Sequence, residues 1–317
     1  MNTNRLLLLP FTFLIAGSFQ SCNENAGAKD NGSTSSASAI QPYEVSDGFK
    51  NYWYAGKAEV SSYKLVQARY SELHEGTAVM IFVTEDFSKS KQVKLDDPQS
   101  AGADRLPVMK MNLSKKFNTG IYPYSMMLSV FSPVDVNNFP HAVKTAASIQ
   151  EWCGMAYMQL NQRNTKNEVT YFSYFEKEED QKAAYELCLL EDELWNLIRI
   201  APEKLPTGNH KVLPGSFYTR LSHVSLKVQD AQLSLKEDEG YVTYSINYPS
   251  QQHNMNITFQ KNFPHKIISW NETFPGFDGQ LLMTTASLQK TLITDYWRHH
   301  DNTDRAMREE LSLPRDF

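Results

Sequence analysis

The chain is poor in the residues that announce chemistry. Only three of its 317 residues are cysteine, too few for a disulfide-stapled scaffold. No block of lysine and arginine stands out and the formal net charge is −5, so nucleic acid is a poor partner. No C-x-x-C, H-E-x-x-H or Gly-rich nucleophile turn occurs, and no cofactor is expected. The longest apolar run, Leu6 to Gly17, spans about a dozen residues and is too short to cross a bilayer as a helix. Aromatics, by contrast, are plentiful, with 17 Phe and 16 Tyr. The chain has the material for a large core in one or two domains.

The short apolar run has its own meaning. Arg5 is the one early positive charge, and the run stops just before Cys22. These are the features of a signal segment. The stretch resembles a bacterial lipoprotein signal, with Phe19-Gln20-Ser21-Cys22 at the cleavage box. The small Ser21 fits that pattern, while Phe19 and Gln20 depart from its usual residues. The expectation is a signal peptide over 1–21 and acyl chains on Cys22. Each buried methylene contributes about 0.8 kcal/mol, so several chains anchor a domain firmly. Two rival readings are cleavage at Ala26-Gly27-Ala28 and an uncleaved anchor with an incidental cysteine. Residues 22–42 then read as a flexible tether, because their Gly, Ser, Ala and Asn cannot bury enough apolar surface to fold.

From residue 43 onward the pattern is mostly that of strands. Met109, Met111 and Leu113 alternate with Lys110, Asn112 and Ser114, the period of a half-buried strand. AVKTAASIQEWCGMAYMQLNQR and EVTYFSYFEKE read as a pair of long strands, and His74-Glu75-Gly76 as a turn. One helix is expected near residues 181–200, where Tyr185, Cys188, Leu189, Trp195 and Ile198 recur at helical spacing before Pro202. FYTRLSHVSLKV resumes the strands, and DRAMREELSL suits a short terminal helix. The expected fold is β-rich α+β: curved antiparallel sheets with one long helix. It divides into an N-terminal β lobe (43–180), a helix and connector (181–206) and a C-terminal β lobe (207–317). A curved sheet around a helix can enclose an apolar groove.

GKAEVSSYKLVQARY, GTAVMIFVTEDF, KFNTGIYPYSMM, IQEWCG and TDYW together resemble an uncharacterised family of envelope lipoproteins from Bacteroidetes-type bacteria. The resemblance runs from about Tyr52 to the C-terminus. The family is often labelled "septum formation inhibitor Maf". Genuine Maf nucleotide pyrophosphatases carry a Ser-rich, Pro-Arg-Arg phosphate motif on an α/β fold, and this sequence has neither. The resemblance implies a location in the envelope, with the outer membrane as the expected site, and no particular chemistry.

Candidate site residues are few. Glu151 in IQEWCG, with Cys153 near it, has the residue types for acid/base or nucleophilic work. The structural alternative is a core strand whose Glu151 pairs with Lys110 or Lys144. Glu85 and Asp86 end a strand, but adjacent strand residues point to opposite faces and cannot share one site. His299, His300 and Asp301 are metal-capable, yet adjacent side chains diverge and no metal site is expected. Trp152, Tyr122 and Tyr124 are candidates to stack on a sugar or line a lipid groove, against the general tendency of aromatics to sit in the core. Cys153 and Cys188 can form a disulfide if their Cα atoms lie within about 7 Å.

The functional expectation is a lipid-anchored, non-enzymatic envelope protein. It would bind a hydrophobic ligand, a glycan or an envelope partner on a curved β surface. The alternative is an envelope hydrolase using Glu151 or Glu85.

Overall fold

The computed structural model describes residues 45–315; the signal segment, Cys22 and the tether lie outside them. The described chain opens on helix α1 (Asp47–Trp53), capped by the Ser46 side chain accepting from the Phe49 N–H. Eight strands follow: β1 (Ala58–Arg69), β2 (Glu72–Ser88), β3 (Arg105–Thr119), β4 (Tyr122–Pro133), β5 (Lys144–Glu151), β6 (Gly154–Arg163), β7 (Lys166–Phe172) and β8 (Gln181–Glu186). Then come β9 (Leu189–Leu190), helix α2 (Leu194–Ile200), β10 (Gly208–Leu213) and helix α3 (Ser216–Leu221). The chain returns to strands with β11 (Gln229–Asp238), β12 (Tyr241–Tyr248), β13 (His253–Gln260), β14 (Ile267–Pro275) and β15 (Leu281–Thr294). A short helix α4 (Ala306–Glu310) closes it.

The strands form one fifteen-stranded sheet, standing in chain order from β8 down to β1 and then from β15 down to β9. The halves meet where β1 pairs antiparallel with β15, Val60 opposite Leu292. Every pairing is antiparallel except β9 with β10. The β-rich, mainly antiparallel expectation is met, but a single mixed sheet stands where several antiparallel sheets were expected. The sheet is open, its edges being β8 and β9. Those edges are consecutive in the chain, separated only by Leu187 and Cys188.

The expected alternation on β3 is present, with Met109, Met111, Leu113 and Phe117 buried. These residues join one core that draws on both halves of the sheet and on α2. Asn196 holds α2 to the sheet by donating to the Met109 and Val130 carbonyls at 3.0 and 3.2 Å. Arg199 forms a bidentate pair with Glu59 on β1 at 2.7 and 2.8 Å, entirely out of water. Tyr52 donates to the same carboxylate at 2.6 Å, and Arg199 also lies over the rings of Trp53 and Phe82.

Four expectations are corrected. The single long helix over 181–200 is not formed: 181–186 is strand β8, a 3-10 turn spans Glu191–Glu193, and only Leu194–Ile200 is α-helix. Pairing of β8 with β7, Asn167 opposite Tyr185, outweighs helix propensity there. The strand expected through IQEWCGMAY breaks at Trp152-Cys153, the turn between β5 and β6. The turn expected at His74-Glu75-Gly76 lies instead at Tyr70-Ser71, both in the left-handed region, and β2 runs straight through Gly76. FYTRLSH opens as helix α3 and not as strand.

Candidate functional site

The two edge strands do not pair, and the seam between the inner face of β5–β8 and the α3 segment holds a cavity of about 500 Å³. That volume lies within the range of small-molecule sites, roughly 300–1,000 Å³. Its floor is apolar because alternate residues of β5 to β8 face inward: Ala147, Ile149, Ala156, Met158, Val169 and Ala183. The small alanines leave the space that larger residues would fill. Its other wall comes from α3 and the loop that follows, including Thr219, Arg220, His223 and Leu226. Tyr185 crosses the seam to donate to the Leu226 carbonyl at 2.6 Å.

One wall of the cavity is charged. Glu178 accepts from Tyr171 at 2.7 Å and from Ser173 at 2.5 Å. His223 Nδ1 lies 2.5 Å from the other Glu178 oxygen. A carboxylate cannot donate, so that contact fixes the proton on Nδ1. Arg220 Nη1 lies 3.1 Å from Nδ1 and 3.3 Å from Nε2, and Arg69 Nη2 lies 3.5 Å from Nε2. Burial, aided by these guanidiniums and opposed by Glu178, holds the His223 pKa below its ordinary value. Burial would raise the Glu178 carboxyl, but the hydrogen bonds from Ser173, Tyr171 and His223 outweigh it and hold it low. Arg220 Nη1 lies 3.7 Å from Glu178, and Glu176 and Lys177 also line the cavity. Arg220 is 6% exposed and lies over the Phe175 ring. Its Nε is buried with no acceptor, which costs about 1–3 kcal/mol or more for a charged group.

A second polar cluster lies deeper, where Glu191, His253 and Glu272 bring ligand-capable atoms within 4.8 Å of one another. His253 meets Glu272 at 3.1 Å and is sandwiched between the rings of Tyr218 and Tyr248. Tyr248 donates to Glu191 at 2.7 Å. Lys115 is fully buried beside them, and burial lowers its pKa. Burial pushes the Glu191 carboxyl up and Asp192 up to about 7. Lys115 and His253 supply internal positive charge against these acids, so the group reads as a compensated network and not as a cation cage.

The residues singled out from the sequence are scattered. Glu85 pairs with Lys110 at 2.7 Å and Lys94 at 3.5 Å. The structural alternative paired Glu151 with Lys110 or Lys144, and neither pair forms; Lys144 donates to the Gln92 carbonyl at 3.2 Å. Glu151 instead accepts from the Cys153 N–H at 2.6 Å across its own turn. Glu85 lies near the C-terminal end of β2, whereas Glu151 adjoins a turn at the other end of the sheet. They form no pair. Cys153 and Cys188 are free thiols, and no bridge joins them. Cys153 precedes β6 and Cys188 lies near Asn167, just beyond its far end, and ten residues of strand separate those ends by about 33 Å. Trp152 is 68% exposed, Tyr122 half-buried, and Tyr124 buried against Phe117; none lines the cavity. His299 sits between Asp295 and Asp304.

The residues that build the cavity were missed. Arg220 and His223 fall in a segment that reads as a strand, where three-residue spacing puts them on opposite faces. Lys115 carried a signal: the β3 alternation already places it on the face of Met109, Met111 and Leu113.

No family model and no curated protein matches this chain. Among solved structures, a β-barrel-like protein of a domain of unknown function, DUF1849, from Brucella abortus is similar at a TM-score of 0.46 and 9% identity. The match covers 75% of this chain and 98% of that one.

Proposed function

We propose that this chain is a non-enzymatic binding protein of the cell envelope, held to a membrane by acyl chains on Cys22, that takes an amphiphile into the seam cavity. The outer membrane is the location the sequence favours. The apolar body of the ligand lies along Ala147, Ala156, Met158 and Ala183. Its head carries a hydrogen-bond acceptor, such as a carboxylate, for Arg220. The observation that carries this reading is the largely apolar cavity of about 500 Å³ with the Arg220 side chain on its wall. Glycans fit less well, because the floor offers few polar groups.

A hydrolase remains the alternative, but Glu85 is tied to two lysines and Glu151 to its own turn. Neither meets the second group that hydrolysis requires.

Titration of the purified protein with a fluorescent long-chain carboxylate tests the binding reading. Saturable binding is expected. Ala183→Trp, on an edge strand, should fill the cavity and abolish it without changing the melting temperature. Arg220→Gln should weaken it about tenfold or more, as loss of a charge-assisted hydrogen bond predicts. Absence of saturable binding, or unchanged binding by Ala183→Trp, overturns the proposal.

A further inference from the structure

Alternate hairpins of an antiparallel meander lie at one end of the sheet. Here that end carries the turns β1–β2, β3–β4, β5–β6 and β7–β8. The β14–β15 turn joins them, because β15 begins beside the end of β1. The five most exposed large apolar side chains of the described residues all belong to this end: Ile121 (85%), Trp152 (68%), Phe277 (67%), Tyr174 (64%) and Leu281 (56%).

These turns touch one another in sequence. Trp152 meets Tyr122 at 6.3 Å between ring centroids, and Tyr122 meets Tyr124 at 6.0 Å. The Tyr124 and Tyr70 hydroxyls are 2.8 Å apart, and Tyr70 stacks on Phe277 at 6.1 Å. Phe277 meets His223 at 5.9 Å, His223 meets Phe175 at 5.2 Å, and Phe175 meets Tyr174 at 5.5 Å. Tyr174 lies against Gly154, so close that a Cβ there would sit 2.5 Å from its ring. Gly154 opens β6 in the hairpin that carries Trp152, so the line of contacts returns to the turn where it began. Phe175 and His223 also line the cavity.

We infer that this aromatic ring docks on the headgroup region of a zwitterionic lipid bilayer, with Ile121, Trp152 and Phe277 entering the membrane. Tryptophan and tyrosine favour that region because one part of each side chain is apolar and another polar. A membrane is preferred to a protein partner for two reasons. The most exposed groups sit on separate hairpin tips around a cavity, a shape that meets a deformable surface more readily than a fixed one. The ring also leads into the apolar cavity, so a lipid chain could move between bilayer and cavity with little exposure to water. Exposed Glu72, Glu176, Glu179, Asp180 and Asp278 outweigh exposed Lys177 near the tips and disfavour an anionic surface. Chain length permits the geometry. Cys22 to Glu44 reaches roughly 75 Å when extended, against about 40 Å for the length of β1. The inference adds a surface to the binding reading and does not depend on a loaded cavity.

The test uses the full chain with Cys22, Cys153 and Cys188 replaced by serine. One environment-sensitive fluorophore is attached at Ile121→Cys, or at Gln99→Cys in the β2–β3 loop as a control. Phosphatidylcholine vesicles should produce a blue shift at position 121 and none at 99. Trp152→Asp with Phe277→Asp should weaken the response more than about tenfold, with the melting temperature of the labelled parent as the check on folding. No shift at 121, or equal shifts at both positions, overturns the inference. So does a concentration-dependent shift without vesicles that vesicles do not enhance, which would identify a second copy as the occupant. Ligand titration in solution is unaffected by either result, so the two proposals fail separately.

Discussion

Buried acids at the α2 entrance couple this protein to pH through single residues. Burial raises the Asp192 carboxyl to about 7; hydrogen bonds from Ser216 oppose the shift, and the charges of Glu191 and Glu272 add to it. An unfolded aspartate titrates near 3.9. Between those values the folded state holds the proton and the unfolded state does not. The stabilisation is thus complete below about pH 4, falls as pH rises, and is lost above about 7. The slope from one such group is at most about 1.4 kcal/mol per pH unit. Asp192→Asn should flatten the decline of unfolding free energy between pH 4 and 7, measured by urea denaturation at several pH values. An unchanged slope would assign the pH dependence to other groups. Nothing in LEDELW marks these acids as buried; their burial follows from Ser216 and Tyr248, which arrive from distant strands and helices.

Strands depend on places where backbone must approach backbone. Gly76 faces β3 so closely that a Cβ would lie 2.3 Å from the Lys116 carbonyl oxygen and 2.7 Å from Phe117 Cβ. Gly76→Ala should therefore push β2 from β3 and destabilise the fold by about 1–3 kcal/mol, the usual cost of overpacking, read as a lowered melting temperature. A neutral result would mean that the hairpin yields at no cost. The glycine was visible in the sequence and read as a turn residue, because a close approach and a turn make the same demand on composition. Period-two alternation located β3 and its buried face without ambiguity. It could not separate a strand from a helix over 181–200, where apolar residues fit both periods and pairing with β7 decided the matter.

Across the molecule, one core and one ion pair tie distant segments together. Arg199 on α2 meets Glu59 on β1 and donates through Nε to the Pro264 carbonyl between β13 and β14. Arg199→Met leaves the Glu59 carboxylate buried without its cation, held only by the Tyr52 hydroxyl, and the expected loss is about 3–5 kcal/mol. Adding Glu59→Leu should recover much of it, since a well-packed apolar pair often matches a buried ion pair. Denaturation of the single and double variants checks both steps; equal losses in the two would mean that packing around the guanidinium matters more than its charge.

The amino-acid order alone determined that strands dominate, that β3 has one buried face and that Cys22 follows a signal-like run, because each rests on local periodicity or composition. The seam cavity, the Glu178–Arg220–His223 contacts and the aromatic ring were decided only in three dimensions. Each joins side chains that are far apart in the chain, brought together when the strands pair in one sheet and α3 with its following loop packs against the β5–β8 face.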